Sequence, residues 1–235
     1  MKVSIFIRTY SKDLVWLDYA LRSIHKHAKG FYEIVVCIPE NQKDLLSHLT
    51  AERVVTCPVY QNDYIGQQIS KLNAHKYCKG DYILFTDSDC IFTEPFTPED
   101  FMRGGKPILL KTLYSKVGDA KAFQGPTEKC LRFKVDYEYM RRHPSLYLTQ
   151  TIRDLHVYFN SLTDYKQSIN DYILSEPIIG ISEFNIIGAF TDRIQPMKYC
   201  IINTDDEVPP AKLKQYWSWS GLTVAEKIEI ENLLK

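Results

Sequence analysis

The chain has no net charge, no paired-cysteine motif, no long apolar run and no repeat, and each absence closes a class of function. Twenty-nine Lys and Arg balance twenty-nine Asp and Glu in 235 residues, so no global field recruits nucleic acid or an anionic membrane. The best place for a local basic patch is Lys129 to Arg142, with Arg132, Lys134 and Arg141, although Asp136 and Glu138 interrupt it. Six cysteines (Cys37, Cys57, Cys78, Cys90, Cys130, Cys200) include no C-x-x-C pair. That removes zinc-finger and dithiol redox signatures and leaves reduced core thiols as the expectation. The amino-terminal apolar run, Val3 to Ile7, is far too short for a signal-peptide core or a membrane span. The expectation is a soluble, cytoplasmic protein without stable membrane insertion. Low-complexity tracts and linkers are also missing, and the length suits one domain over 1–235.

What the chain does have is the stretch Asp81-Tyr82-Ile83-Leu84-Phe85-Thr86-Asp87-Ser88-Asp89-Cys90. Its apolar run reads as a buried strand that ends in two carboxylates one residue apart. Either this is an acidic turn, for which Asp and Ser are suited, or the carboxylates hold a divalent cation through hard oxygen ligands. The preceding residues alternate strand and helix. Strand 3–7 ends at Arg8-Thr9-Tyr10, and Leu14, Leu17, Leu21, Ile24 and Ala28 recur at helical spacing, with Ser11 as N-cap and Gly30 as stop signal. Strand 33–38 follows, then a short helix around Leu45 and Leu49, then a strand at Val54 and Val55. A helix marked by Ile65, Ile69, Leu72 and Tyr77 leads into the acidic strand. Four alternations predict an α/β fold, a mostly parallel Rossmann-like sheet flanked by helices. Ligands of such sheets bind where the strands end at their carboxyl side. Arg8-Thr9-Tyr10 and Asp87-Ser88-Asp89 are therefore expected to face one crevice.

Beyond Pro107 the spacing predicts a strand at 108–113, a loop at 117–126, helices over 131–139, 152–159 and 169–174, a strand at 199–202 and a terminal helix from Val224. Trp217 and Trp219 alternate as in a strand, which would put them on one face. Tyr137, Tyr139, Tyr147, Tyr158 and the two tryptophans offer flat apolar surfaces for sugar rings or bases, or fill the core.

Three segments carry a resemblance: Arg8-Thr9-Tyr10, Asn62 to Gln68 with Lys71-Leu72, and Asp87-Ser88-Asp89. In this order the chain resembles nucleotide-sugar-dependent glycosyltransferases of the GT-A fold, with the acidic pair as their DxD motif; the resemblance is clearest through Phe92. It implies a nucleotide-sugar-binding half, 1–106, and an acceptor-binding half, 107–235. Ile181 to Asn185 and Tyr216 to Gly221 look like the acceptor-side and closing elements of small enzymes of that kind. Carried over, the resemblance implies Mn2+ or Mg2+ on Asp89 and Asp87, and donor binding by Arg8, Thr9, Tyr10, Asp63, Gln67, Lys71, Asp87 and Ser88. Trp217 and Trp219 would meet the acceptor. The metal would neutralise charge on the departing phosphate. Glu183 is the candidate base for the acceptor hydroxyl in an inverting reaction, with Asp192 and Asp171 as alternatives; a retaining reaction needs no such base. Glu183 also suits a plain helix start. The donor implied is a UDP-sugar. The acceptor is a saccharide, a glycolipid or hydroxymethylated DNA, and nothing in the chain indicates an oligomeric state. One departure stands out. The fold often adds a late histidine or carboxylate as metal ligand, yet no histidine follows His156, which leaves Asp205, Asp206 and Glu207 as substitutes in an acidic loop; His143 and His156 are the other late histidines.

Three other classes fit less well. A haloacid-dehalogenase phosphatase places its Asp-x-Asp after the first strand, with Thr or Val where this chain has Ile91. A sugar-phosphate nucleotidyltransferase carries a Gly-rich loop where this chain has Arg8 to Asp13. A non-catalytic carbohydrate-binding protein leaves the acidic strand end unexplained.

Overall fold

The computed structural model describes residues 1–140, 144–162, 167–176 and 180–235. Arg141, Arg142 and His143 lie outside them. In chain order the elements are β1 (Val3–Arg8), α1 (Leu14–His27), β2 (Glu33–Pro39), β3 (Arg53–Cys57), α2 (Asp63–Leu72), α3 (Ala74–Tyr77), β4 (Tyr82–Asp87), β5 (Cys90–Phe92), β6 (Met102–Arg103) and β7 (Lys106–Leu113). Then come α4 (Gln124–Leu131), β8 (Tyr137–Glu138), β9 (Ser145–Leu148), α5 (Thr149–Ser161), α6 (Ile169–Ser175), α7 (Glu183–Ile194), β10 (Cys200–Asn203), β11 (Leu213–Gln215) and α8 (Val224–Leu233). The central sheet runs β3-β2-β1-β4-β9, parallel except for β9, which is antiparallel to β4. The protein is α/β, with helices on both faces of a mostly parallel sheet.

The middles of β1, β2 and β4 are mostly apolar because both faces are covered. Ile5, Ile7 and Leu84 point to the side packed by Leu17, Leu21 and Ile24 of α1. Phe6, Ile83 and Phe85 point to the opposite side, where α2, α5 and α7 bring Ile69, Ile152 and Phe184. Each such side chain contributes about 1.5–3 kcal/mol by leaving water. The register pairs Arg8 with Asp87 across β1 and β4 and Arg8 with Cys37 across β1 and β2. This brings the two strand ends together at one edge of the sheet.

Several local expectations fail, each for a physical reason. Ser11 does not cap α1: it opens a one-turn 3-10 helix (Ser11–Asp13), its N–H donates to the Gln42 side chain, and Asp13 takes the cap position. The helix expected through Tyr77 breaks at Asn73, whose amide donates to Ile69 O and to Asn170 Oδ1. The short helix near Leu45 is a 3-10 helix, Glu40–Leu46. The expected loop at 117–126 is helical, as a 3-10 segment running into α4, and the expected helix at 131–139 is not. Arg132 adopts a left-handed φ of 60°, and the chain folds back so that Glu128 Oε1 accepts from Val135 N–H and β8 pairs with β7. Leu131, at the end of α4, and Val135 and Tyr139, in the extended segment after it, are still buried. Lys129 and Lys134 of the proposed basic patch are paired with Glu176 and Glu128. Trp217 and Trp219 do not share a strand, because β11 ends at Gln215 and Ser218–Ser220 form a 3-10 turn. Among the described residues, no helix is long and apolar enough to cross a membrane.

Candidate functional site

The site lies at the carboxyl ends of β1 and β4. Arg8, the last residue of β1, is 3% exposed, and its guanidinium clamps Asp63 at the start of α2: Nη1 donates to Asp63 Oδ2 (3.0 Å) and to Thr9 O (2.6 Å), and Nη2 donates to Asp63 Oδ1. The fork geometry fixes both side chains. Asn62 caps α2 by accepting from Tyr64 N–H, which aims the next turn of the helix, Tyr64, Gln67 and Gln68, at the same edge. One turn further on, Lys71 is buried with its ammonium 2.8 Å from Asp87 Oδ1 and 2.9 Å from Glu183 Oε1. Burial opposes its charge, but the two carboxylates overcome it and the ammonium holds its proton more tightly than a free lysine. Glu183 is the first residue of α7, whose N-cap Ser182 accepts from Asn185 N–H.

Ser88 and Asp89 make the turn from β4 into β5. Because β11 pairs antiparallel with β5, Tyr216 N–H continues the ladder to Asp89 O (2.8 Å), and Ser218 N–H donates to Asp89 Oδ2 (3.0 Å). Burial, then the charge of Asp87, pushes the Asp89 carboxyl up to about 7, against the pull of the Ser218 N–H. Asp13 faces the same corner, accepting from Ser88 Oγ (3.3 Å) and Ser218 Oγ (3.5 Å), and burial raises its pKa as well. Sequence reasoning did not assign Asp13 to the site. The available signal was its position just past a strand end that already carries Arg8 and Tyr10.

Two cavities open here. One, of about 360 Å³, is lined by Arg8, Tyr10, Asp13, Asp63, Ser88 and Asp89, together with Trp219. The other, of about 530 Å³, is lined by Gln68, Lys71, Met140, Ser182, Glu183 and Phe184. Tyr64, Gln67, Asp87, Gln215 and Trp217 belong to both walls. Of the expected site residues, only Thr9 lines neither cavity; it is buried, with its hydroxyl oxygen unpartnered. Trp217 and Trp219 are 59% and 82% exposed at the rim. Tyr64 and Gln68 come with Gln67 on α2 and Phe184 with Glu183 on α7, while Gln215 and Met140 join the walls through tertiary packing.

The alternative residues lie elsewhere. Asp192 accepts from Lys111 (2.9 Å) and from Tyr139 OH (2.8 Å) beside a separate cavity. Asp171 is held by the Ser168 N-cap of α6. Asp205 and Glu207 pair with Lys116 and Arg103, and His156 bonds Leu72 O. Tyr139 and Tyr147 are core residues.

Among the described residues, no group of three or more His, Cys, Asp or Glu is spaced to hold a metal ion. The donor chemistry nevertheless fits a hard cation. Asp87, Asp89 and Asp13 converge on one wall, and the pKa values of Asp13 and Asp89 are raised partly by neighbouring negative charge, which a divalent ion would relieve.

A profile for a family of unknown function, DUF6492, matches residues 3–220. The chain belongs to the DUF6492 family. The matched span runs from β1 through the turn that carries Trp219, so it contains both cavity walls. No curated protein matches the chain.

Proposed function

We propose that the protein is a metal-dependent glycosyltransferase of the GT-A kind, moving a sugar from a nucleotide donor, with a UDP-sugar the first to test, to a hydroxyl acceptor. The observation that carries this reading is the pair of adjoining cavities with Asp87 in the wall between them, one rich in carboxylates and the other holding Glu183. A group-transfer reaction needs such an arrangement, with two substrates side by side over the acidic end of a parallel sheet.

In this reading the first cavity takes the nucleoside diphosphate, with Tyr10, Asp63, Gln67 and Ser88 on its walls and Arg8 locking Asp63. Asp87 and Asp89 hold Mn2+ or Mg2+, which when bound supplies Lewis-acid stabilisation of the leaving phosphate. Glu183, on the acceptor side, takes the hydroxyl proton in an inverting reaction. Lys71 bridges Asp87 and Glu183 and holds them at a fixed separation. We assign the enzyme to the cytoplasm; six free cysteines, five of them buried, are in keeping with a reducing compartment. The test is a screen of nucleotide sugars for donor hydrolysis with and without Mn2+. Manganese-stimulated release of a nucleoside diphosphate from one donor is expected, whereas release of inorganic phosphate alone, or no turnover of any donor, would overturn the reading.

A further inference from the structure

The larger cavity has its own chemistry. Gln68 is 1% exposed, and its side-chain oxygen has no hydrogen-bond partner. The Tyr64 hydroxyl lies within hydrogen-bond reach of the same amide. The other polar side chains of the wall are Gln67, Gln215 and Ser182, the Glu183 and Asp87 carboxylates, and the ammonium of Lys71, the one cation among the described lining residues, which both carboxylates hold. With the ammonium taken up, the carboxylates and the Gln68 oxygen ask the ligand for donors, while Gln67, Gln215 and Ser182 can give or take a hydrogen bond. Leaving the Gln68 oxygen buried and unpaired is unfavourable, so an apolar occupant does not suit the cavity. An anionic occupant suits it less. In this cavity the carboxylates of Asp87 and Glu183 face Lys71 as the one cation among the described lining residues, and it is already bonded to both. Tyr64 and Trp217 add broad, half-exposed aromatic faces, with Met140 and Phe184 beside them. Flat apolar surface next to acceptor oxygens matches a ring that shows C–H on its face and O–H on its edge.

We infer that the acceptor is an uncharged saccharide, its ring against Trp217 and Tyr64 and its hydroxyls donating to Gln68 and Glu183. Phosphorylated sugars and DNA are rejected. This rests on the transferase reading, since the same cavity must then hold the attacking hydroxyl.

The experiment is saturation-transfer NMR and calorimetry on the full chain. The probes are neutral methyl hexosides and their N-acetyl forms, the corresponding 6-phosphates, a short duplex bearing 5-hydroxymethylcytosine, and spermidine, all at one salt concentration. A neutral glycoside is expected to bind with transfer to its ring protons, and the 6-phosphates about tenfold or more weaker, the equivalent of about 1.4 kcal/mol. Gln68→Leu should weaken the glycoside about tenfold, while Gln68→Asn, which restores an amide oxygen, should recover part of that; the pair separates lost recognition from lost folding. Tighter binding of phosphate, duplex or polyamine, or no binding of any neutral glycoside, overturns the inference. A thermal shift by UDP and Mn2+ on the same sample distinguishes the two failures. If the shift is present and glycosides do not bind, only the acceptor assignment falls. If the shift is also missing, the transferase reading falls with it.

Discussion

Lys71 lies in the larger cavity against Asp87, a residue of both walls, and its environment dictates what its loss should do. Its ammonium is the shared partner of Asp87 and Glu183 in a spot where the lysine side chain is 4% and Glu183 7% exposed. Removing it strands buried negative charge, so Lys71→Met should cost about 3–5 kcal/mol in urea unfolding, and adding Glu183→Gln should return part of that. The chemistry makes separate demands on single residues. Asp89→Ala should lower manganese-dependent turnover about a thousandfold, roughly 4 kcal/mol, without a comparable fall in unfolding midpoint, because the lost carboxylate is one that burial and Asp87 already disfavour. Glu183→Gln should cut turnover by at least about a hundredfold if that carboxylate takes the proton. Asp192→Asn, beside its own cavity with Lys111 and Tyr139, should leave turnover close to wild type; an equal loss in both variants would point away from Glu183.

At the scale of elements, the strands and helices that deliver the site were readable and the connections that finish it were not. β1, β2 and β4 announce themselves because parallel strands buried on two faces must be mostly apolar, and their ends mark the crevice. β5 and β11 have three residues each, too few to show a period, yet their pairing is what brings Ser218 to Asp89. The segment after α4 misleads because Leu131, Val135 and Tyr139 are spaced like a helical face while Arg132 turns the chain away. The packing of α7 allows a sharper test. Gly188 sits where a methyl group would run into the Tyr139 ring, so Gly188→Ala should destabilise by about 1–3 kcal/mol through overpacking, despite the better helix propensity of alanine. The contact of α3 with α5 titrates. His75 and His156 stack edge to face at 4.9 Å, and burial, then the field of His156, draws His75 down to about 4 from an ordinary 6.5. A histidine kept neutral by folding contributes stability above pH 6.5 that is lost as pH falls toward 4, since the unfolded chain then binds more protons. The urea midpoint should therefore drop between pH 7 and 5, and drop less in His75→Gln.

At the scale of the whole molecule, the sheet does not respect the division between a donor half and an acceptor half. β9, from beyond residue 107, pairs with β4 along Tyr82 to Phe85 and closes that edge of the sheet. α5, α6 and α7 complete the core beneath Phe6 and Phe85. Residues 1–106 expressed alone should consequently lack a cooperative thermal transition and expose apolar surface to a dye such as ANS, although they contain Asp87-Ser88-Asp89 and most of the smaller cavity's wall. The return of residues 213–218 to β5 and Asp89 has a temporal counterpart. During synthesis the acidic corner leaves the ribosome long before Trp217, Trp219 and the Ser218 amide, so a nascent chain carries an unfinished pocket. The wall is whole only once residues 213–218 have been made and laid against β5.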